Sequence, residues 1–175
     1  NPKKNRKTIF IWPEGIFSET NLQDIKKYKL LFEENFNENH LIVLGINSFE
    51  NNIYNTMVIL NHKLEILFKY KKNNLVPFGE FLPFESFFKK IFLKKITRGY
   101  NSFSSGSDRS LMILDKNFHY LKILPLICYE IIYIGNIKSK DQLPDLVINI
   151  SEDGWFGNST GPYQHFKKAI YRSIE

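Results

Sequence analysis

The chain has 175 residues, a formal net charge of +6 at neutral pH and one cysteine. This length suits a single domain with a sizeable core, and a lone cysteine excludes a disulfide framework within the chain. No stretch reaches the roughly 18–20 apolar residues that a membrane span requires. The positive charge is compatible with an anionic surface, but no nucleic-acid-binding motif accompanies it, so no nucleic-acid partner is predicted.

The first third of the chain shows alternating strand and helix patterns. Residues 8–12 form a short β-branched and aromatic run, which is typical of a buried strand. Thr20 is predicted to cap a helix that continues to about Phe36. The apolar positions of this helix are Leu22, Ile25, Leu30 and Leu31. Residues 41–46 are apolar throughout and predict a second buried strand.

The same alternation continues to the C-terminal end. Residues 54–60 and 64–68 flank a short polar stretch and predict a hairpin. The further predicted elements are loops at 74–84, 101–108 and 151–162, helices at 85–96, at 131–138 and from Tyr163, a strand pair at 111–114 and 120–127, and a strand at 146–150. Apolar strands that alternate with helices predict an α/β fold in which helices cover sheets.

Cys128 lies where an apolar run, residues 123–127, meets a polar stretch. A cysteine attacks only as the thiolate. A strand that ends here, followed at once by a helix, would point the sulfur away from the core and favour its anionic form. The alternative is a structural role, because most free cysteines are small buried hydrophobes.

Three charged residues border other predicted strands and loops. Glu14 follows the first strand and a proline, where partial desolvation would raise its pKa and suit it to accept a proton near neutral pH. Lys72 belongs to a cluster of lysines, and Glu80 lies in the loop after it. Each of the three can equally be a solvated surface residue, so none of them alone establishes a catalytic site.

The polar loop at 151–162 contains aromatic residues and several glycines, which would let its backbone approach a substrate closely. The candidate substrate contacts are Trp155, Phe156, Gln164 and His165. The same loop can instead cover an edge of the core, and His165 can cap a helix or bind a ligand. No spacing of Cys, His and carboxylates fits a zinc or iron site, so no metal is predicted.

The order of these residues along the chain is more specific than any one of them. A Glu, a Lys and a Cys that each follow a strand resemble the nitrilase superfamily of carbon–nitrogen hydrolases. The local motifs are Trp12-Pro13-Glu14, Leu75-Val76-Pro77-Phe78-Gly79-Glu80, Cys128-Tyr129-Glu130 and Trp155-Phe156-Gly157 with Gly161-Pro162-Tyr163-Gln164-His165. Together these motifs resemble the apolipoprotein N-acyltransferase family over nearly the whole chain.

The resemblance implies an αββα sandwich with a catalytic triad of Glu14, Lys72 and Cys128 and without a cofactor. The further positions that the family needs for activity are Glu80, Tyr129 and Glu130. Residues 1–175 are expected to form a partial nitrilase-like domain, incomplete at both ends, with the family's N-terminal membrane bundle absent from this chain. One departure affects the substrate loop: members usually carry Asn-Asp-Ala before Trp-Phe-Gly, and this chain reads Ser151-Glu152-Asp153-Gly154.

The implied function is a two-step acyl transfer at the bacterial inner membrane, with the catalytic domain facing the periplasm. A phospholipid would acylate Cys128, and the thioester would then acylate the N-terminal diacylglyceryl-cysteine of an apolipoprotein. The apolar and cationic segment at 81–95 would lie at the membrane and admit lipid chains, or it would be an ordinary amphipathic helix packed on the sheet. The alternative function is a soluble amidase that uses the same triad, with water as the acceptor.

Overall fold

The computed structural model describes residues 2–81, 102–107, 110–133 and 143–174. The helix predicted at 85–96, nearly all of the segment at 81–95 and the C-terminal part of the helix predicted at 131–138 lie outside these ranges. Among the described residues, no helix combines the length and the apolar character needed to cross a membrane.

The apolar runs of the sequence form the strands of two sheets. The first sheet has the order β1 (Thr8–Ile11), β2 (His40–Phe49), β3 (Ile53–Asn61) and β4 (Ile66–Lys71). β1 is parallel to β2, whereas β3 is antiparallel to both β2 and β4. The second sheet has the order β5 (Met112–Ile113), β6 (Lys122–Ile127) and β7 (Leu146–Ile150). β6 is antiparallel to β5 and parallel to β7. The pairing of β3 with β4 confirms the predicted hairpin, and the pairing of β5 with β6 confirms the predicted strand pair.

Helical segments connect and flank these strands. They are a 3-10 helix at Leu22–Tyr28 that continues into α1 (Lys29–Asn35), short 3-10 helices at Lys116–Phe118, Cys128–Ile132 and Gly154–Phe156, and α2 (Gly161–Ile174). α2 therefore begins two residues before the predicted start at Tyr163. The helix predicted to begin at residue 131 is a single 3-10 turn that begins at Cys128, within the described residues.

The N-cap predicted for the first helix is wrong by one residue. The side-chain oxygen of Asn21, rather than that of Thr20, accepts a hydrogen bond from the backbone N–H of Asp24 at 3.1 Å. Both residue types cap helices well, so their adjacency left the sequence ambiguous. Thr20 is buried instead, and its hydroxyl lies 3.2 Å from the hydroxyl of Tyr28.

The buried face of this helical segment also differs in part from the prediction. Leu22 and Ile25 are buried as expected. Leu30 and Leu31 are exposed, and Phe32 is buried in their place. The segment changes from 3-10 to α geometry at its middle, and the two helix types place successive residues at different angles around the axis. A pattern read with one helical period therefore loses its register in the second half.

Strand β2 is buried on both faces, which explains its continuous apolar sequence. Leu41 and Val43 face the second sheet and join a core that contains residues of β3, β6 and β7. Ile42 and Leu44 point the other way and pack with the buried residues of the helical segment at 22–35. The result is a layered α/β sandwich, as predicted, with α2 packed against the 3-10 helix that follows β6.

Three polar segments meet where strands of the two sheets end. Glu14 comes shortly after β1, Lys72 directly after β4, and Cys128 directly after β6. The backbone N–H of Lys72 donates to the carbonyl of Asn55 near the start of β3 at 2.8 Å. Because β4 is antiparallel to β3, this contact places Lys72 at the same edge of the sheet as the residues that follow β1.

Candidate active site

A buried ammonium group lies at the centre of a cluster of acids at this edge. The Nζ atom of Lys72 lies 3.0 Å from Oε1 and 2.9 Å from Oε2 of Glu80. The side-chain amide of Asn55 donates to Oε1 of Glu14 at 2.6 Å and to Oε1 of Glu80 at 3.0 Å. Only 1% of Lys72 is exposed. The structure thus connects three charged residues that lie far apart in the sequence.

Backbone groups hold both carboxylates in place. The N–H of Val76 donates to Oε2 of Glu80 at 2.9 Å, which closes the loop after Lys72 around its own acid. The N–H of Glu152 approaches Oε2 of Glu14 at 3.3 Å, so the loop after β7 reaches the end of β1. These contacts fix the orientation of each carboxylate without adding another charge.

Cys128 occupies the turn between β6 and the 3-10 helix. Its backbone has a φ of +53°, a left-handed conformation that is rare for a residue with a side chain and costs about 1–3 kcal/mol. The residue is only 4% exposed and belongs to the core between the sheets. Cys128 is therefore enclosed by the core, while its thiol lies close enough to Glu14 and Lys72 for their charges to act on it.

The charges of the cluster act on the sulfur and on one another. Burial raises the pKa of the Cys128 thiol to about 11, with the negative charge of Glu14 adding to this effect and Lys72 and the Ser151 hydroxyl opposing it. The shift is therefore opposite to the thiolate expected from the sequence, because burial and the charge of Glu14 outweigh Lys72 and Ser151. With such a pKa the thiol is protonated at neutral pH, so it could act as a nucleophile only with a base beside it.

Glu14 and Lys72 have the electrostatic properties of a base and a fixed cation. Burial raises the pKa of Glu14, while Lys72 and the hydrogen bond from Asn55 act against this rise. For Lys72, burial lowers the pKa, but the attraction of Glu14, Glu80 and Cys128 outweighs it, so the pKa is raised overall. The ammonium therefore stays charged although water hardly reaches it.

Glu130 connects the two sheets beneath this cluster. Its side chain is fully buried. Oε1 accepts hydrogen bonds from the hydroxyl of Tyr70 at 2.7 Å and from the N–H groups of Asn73 and Asn74 at 3.0 Å each. Oε2 accepts from the N–H of Ile127 at 2.9 Å. One carboxylate thus fixes both the segment after Lys72 and the turn before Cys128.

Most of the remaining residues singled out in the sequence are at least partly exposed. Tyr129 is 38% exposed, and its ring packs edge-on against a neighbouring tyrosine. Trp155 is half exposed and packs against Phe156 with ring centroids 4.9 Å apart and the ring planes tilted by 39°. A Cβ placed on Gly79 would lie 3.7 Å from Trp155, so this aromatic pair lies beside the loop that carries Glu80. Gln164 is exposed on α2.

His165 is buried rather than open to a substrate. Its Nε2 atom lies 3.0 Å from the carbonyl oxygen of Cys128. Its Nδ1 atom lies 2.9 Å and 3.0 Å from the two carboxylate oxygens of Asp153. The residue therefore connects α2 and the loop after β7 to the turn of the cysteine.

Sequence reasoning missed several residues of the site. Asn55 had one available signal, because asparagine is uncommon near the start of an otherwise apolar strand. Tyr70 and Asp153 gave none, since their partners are far away in the sequence. Gly45 lies within an apolar strand, and a Cβ there would come within 2.7 Å of Cα of Glu14, so a side chain is excluded where the segment after β1 approaches β2.

Residues 12–175 match the carbon–nitrogen hydrolase family, and this match covers most of the chain. The chain belongs to the carbon–nitrogen hydrolase family. Its curated relatives include the apolipoprotein N-acyltransferase of Rickettsia prowazekii (strain Madrid E), which is 35% identical over 172 residues that cover 95% of this chain and 34% of the relative. The corresponding protein of Bradyrhizobium diazoefficiens is 39% identical over 122 residues, which cover 70% of this chain and 22% of the relative. The chain thus spans between about a fifth and a third of these relatives.

Solved structures with the same fold belong to other proteins. A glutamine-dependent NAD+ synthetase from Acinetobacter baumannii matches with a TM-score of 0.60 and 22% identity over 93% of this chain and 28% of that chain. An amidase of the nitrilase superfamily from Nesterenkonia AN1 matches with a TM-score of 0.52 and 13% identity over 86% of this chain and 57% of that chain. At these identities the likeness shows a shared fold and nothing more about the chemistry.

We expect Gly45→Ala to destabilise this carbon–nitrogen hydrolase domain by about 1–3 kcal/mol. The added methyl group would lie 2.7 Å from Cα of Glu14 and 2.9 Å from Cδ1 of Ile150, and both belong to packed segments. The measurement is urea unfolding of the intact protein. Gly79→Ala is the matched control, because its Cβ would meet no atom closer than 3.4 Å. Equal loss of stability in the two variants would show that the contact between Gly45 and the segment after β1 tolerates a side chain.

Proposed function

We propose that this chain is the catalytic part of an apolipoprotein N-acyltransferase that uses Glu14, Lys72 and Cys128 as its triad. The observation that carries the proposal is the buried Lys72 ammonium, held against one carboxylate and electrostatically coupled to a second carboxylate and a thiol. A cation fixed beside a protonated thiol and a carboxylate of raised pKa is suited to nucleophilic acyl transfer. The names of the curated relatives favour this reaction over hydrolysis of a small amide.

In the first step, Glu14 accepts the proton of Cys128 as the sulfur attacks the ester carbonyl of a phospholipid. The tetrahedral intermediate collapses, the C–O bond breaks, and the leaving alkoxide of the lysophospholipid takes the proton back from Glu14. The acyl group remains on Cys128 as a thioester. The raised pKa of Glu14 favours both directions of this proton transfer, because it lies closer to the working pH than the pKa of a solvated glutamate.

In the second step, the α-amine of a diacylglyceryl-modified apolipoprotein attacks the thioester. Glu14 removes a proton from the amine, the C–S bond breaks, and the thiolate of Cys128 is protonated again. The product is an amide, and the enzyme returns to its starting state without a cofactor. The overall exchange converts one ester and one amine into one amide and one alcohol.

The ammonium of Lys72 and the backbone N–H of Tyr129 would stabilise the oxyanion in both steps. One such donor contributes roughly 3–4 kcal/mol to lowering a barrier of this kind. Glu80 is proposed to hold the ammonium in place, because it is the acid in direct contact with Nζ. Glu130 is proposed to position the turn of Cys128 through its bond to the N–H of Ile127.

An open cleft of about 420 Å³ beside the segment after Lys72 suits a lipid chain. Its lining residues are Asn73, Asn74, Leu75, Phe81, Phe103, Ser105 and Tyr133. The cleft has apolar side chains on its walls and reaches the backbone that Glu130 holds. We also propose that the intact protein is attached to the bacterial inner membrane with this domain facing the periplasm, which the names of its curated relatives support. The segment at 81–95 remains the predicted membrane contact.

The decisive test is intact-mass analysis of the protein after incubation with phospholipid vesicles and without an apolipoprotein acceptor. We expect an adduct heavier by one fatty acyl group, located on the peptide that contains Cys128 and removed by hydroxylamine, which cleaves thioesters. Adding a diacylglyceryl peptide should discharge the adduct into the peptide amide.

The control for this experiment is Cys128→Ala, which should show no adduct. An acyl adduct that persists in Cys128→Ala would exclude this cysteine as the nucleophile. A wild-type protein that forms no adduct from phospholipid but hydrolyses small amides would favour the amidase instead.

A further inference from the structure

A second hydrogen-bond network reaches Cys128 from the side of the loop after β7. It consists of His165 on α2 and of Asp153 and Ser151 in that loop. None of these three residues takes part in the proton transfers described above. His165 is buried, and Ser151 and Asp153 are partly buried. Their contribution therefore lies outside the proton transfers of the two chemical steps.

The contacts of His165 define its charge. Nδ1 faces the carboxylate oxygens of Asp153, at 2.9 Å and 3.0 Å, and Nε2 faces the carbonyl of Cys128 at 3.0 Å. Carboxylates and carbonyls accept hydrogen bonds and cannot donate them. A neutral imidazole has only one N–H, so the lone pair of its other nitrogen would face either the carboxylate or the carbonyl, and both are acceptors. An imidazolium donates a hydrogen bond from both nitrogens. Donors on both nitrogens match an imidazolium paired with the Asp153 carboxylate, in a partly buried pair whose side chains are 8% and 28% exposed.

Asp153 also connects to the sulfur through a second residue. The hydroxyl of Ser151 donates to Oδ1 of Asp153 at 2.5 Å. The same hydroxyl acts on the Cys128 thiol, where it favours the thiolate and so lowers the pKa of the thiol. Asp153 therefore contacts both His165, which faces the carbonyl of Cys128, and Ser151, whose hydroxyl acts on the thiol. These contacts all converge on Cys128 and on the turn that it forms.

The turn of Cys128 needs such contacts, because its left-handed backbone is unfavourable for a residue with a Cβ. Glu130 holds the N–H of Ile127, which lies before the turn. His165 holds the carbonyl of Cys128 itself. Together the two residues hold the backbone on both sides of the Cα that carries the thiol.

We propose that Asp153 and His165 form a positioning pair, an imidazolium held by a carboxylate, that fixes the carbonyl of Cys128 and balances the charge beside its sulfur. The inference rests on the proposed role of Cys128 as the nucleophile. It replaces the expectation from the sequence that His165 contacts the substrate. The other charged groups that act on the sulfur are Glu14 and Lys72, and they belong to the first sheet.

The pair makes a specific prediction about thiol reactivity. In His165→Gln, the side chain keeps an N–H donor but carries no positive charge, so the negative charge of Asp153 loses its counter-charge and opposes the thiolate. We expect iodoacetamide to alkylate Cys128 about tenfold more slowly at pH 8, which corresponds to a rise of about one unit in the thiol pKa. Adding Asp153→Asn removes the uncompensated anion and should restore the rate to within about threefold of the wild-type value.

The experiment uses the intact protein and follows the peptide that contains Cys128 by mass spectrometry between pH 7 and 11. Lys168→Gln, an exposed position on the same helix, is the matched control and should react like the wild type. A purely structural role of His165 predicts no restoration by Asp153→Asn. An unchanged rate in His165→Gln, or slow alkylation that Asp153→Asn does not restore, would overturn the proposal.

Two further readouts distinguish a positioning role of His165 from a substrate contact and from a folding defect. In acyl transfer, His165→Gln should lower kcat and leave KM for the phospholipid unchanged, whereas a substrate contact would raise KM. If His165→Gln does not fold, Asp153→Asn alone is decisive, because it should not slow alkylation, and a tenfold slowing would contradict the pair. Failure of the wild type to form an acyl adduct would refute the proposed function and leave the alkylation result intact.

Discussion

Replacing Lys72 with Met is expected to lower acyl transfer by at least about a hundredfold and to destabilise the protein by about 3–5 kcal/mol. The loss of activity follows from removing the proposed oxyanion donor. The loss of stability follows from leaving the carboxylates of Glu80 and Glu14 close together without their buried counter-ion. Urea unfolding and thioester formation from phospholipid measure the two effects separately.

A second variant separates the two consequences of that change. Lys72→Met combined with Glu80→Gln removes the ion pair as a unit, so we expect it to recover much of the stability and none of the activity. Lys69→Met is the matched control, because Lys69 pairs with Glu50 at the surface and should change the unfolding midpoint little. Activity near the wild-type level in Lys72→Met would remove this residue from the mechanism.

Glu130→Ala is expected to cost at least about 3 kcal/mol of stability and to slow thioester formation strongly. The substitution leaves the N–H groups of Ile127, Asn73 and Asn74 without the acceptor that the structure gives them, and each unsatisfied buried donor costs about 1–3 kcal/mol. Thermal unfolding and the rate of Cys128 acylation are the measurements.

Two variants calibrate the result for Glu130. Tyr70→Phe removes one donor to the carboxylate and leaves the carboxylate in place, so its effect should be a fraction of that of Glu130→Ala. Glu34→Gln lies on the exposed side of α1 and should have little effect. If Glu130→Ala unfolded at the same temperature as Glu34→Gln, the carboxylate would not be the connection between the two sheets.

The strands could be predicted because burial imposes a local and repetitive pattern. The run at 41–46 is apolar on both faces, and the structure places one face against the second sheet and the other against the first helical segment. The capping residue could not be chosen, because Thr20 and Asn21 are both good caps and tertiary packing takes Thr20 into the core. Local signals alone do not decide between two adjacent residues of equal propensity.

The family resemblance predicted the residue types of the candidate site, but the sequence did not predict how deeply the thiol is buried or that its pKa is raised. Each of Glu14, Lys72 and Cys128 follows a strand, and the family resemblance named all three. The burial of the thiol and its raised pKa depend on how the second sheet packs on the first, which no local pattern records. Asn55 and Asp153 act through partners far away in the sequence, so their roles became visible only in three dimensions.

The proposed reacting groups are divided between the two sheets. The acid, the ammonium and the amide that links the carboxylates belong to the sheet of β1 to β4, and the thiol belongs to the sheet of β5 to β7. Neither sheet by itself brings together the acid, the ammonium and the thiol. During refolding, catalytic competence should therefore emerge only in the final cooperative stage, when the halves dock, and any intermediate that has formed one half should be chemically silent.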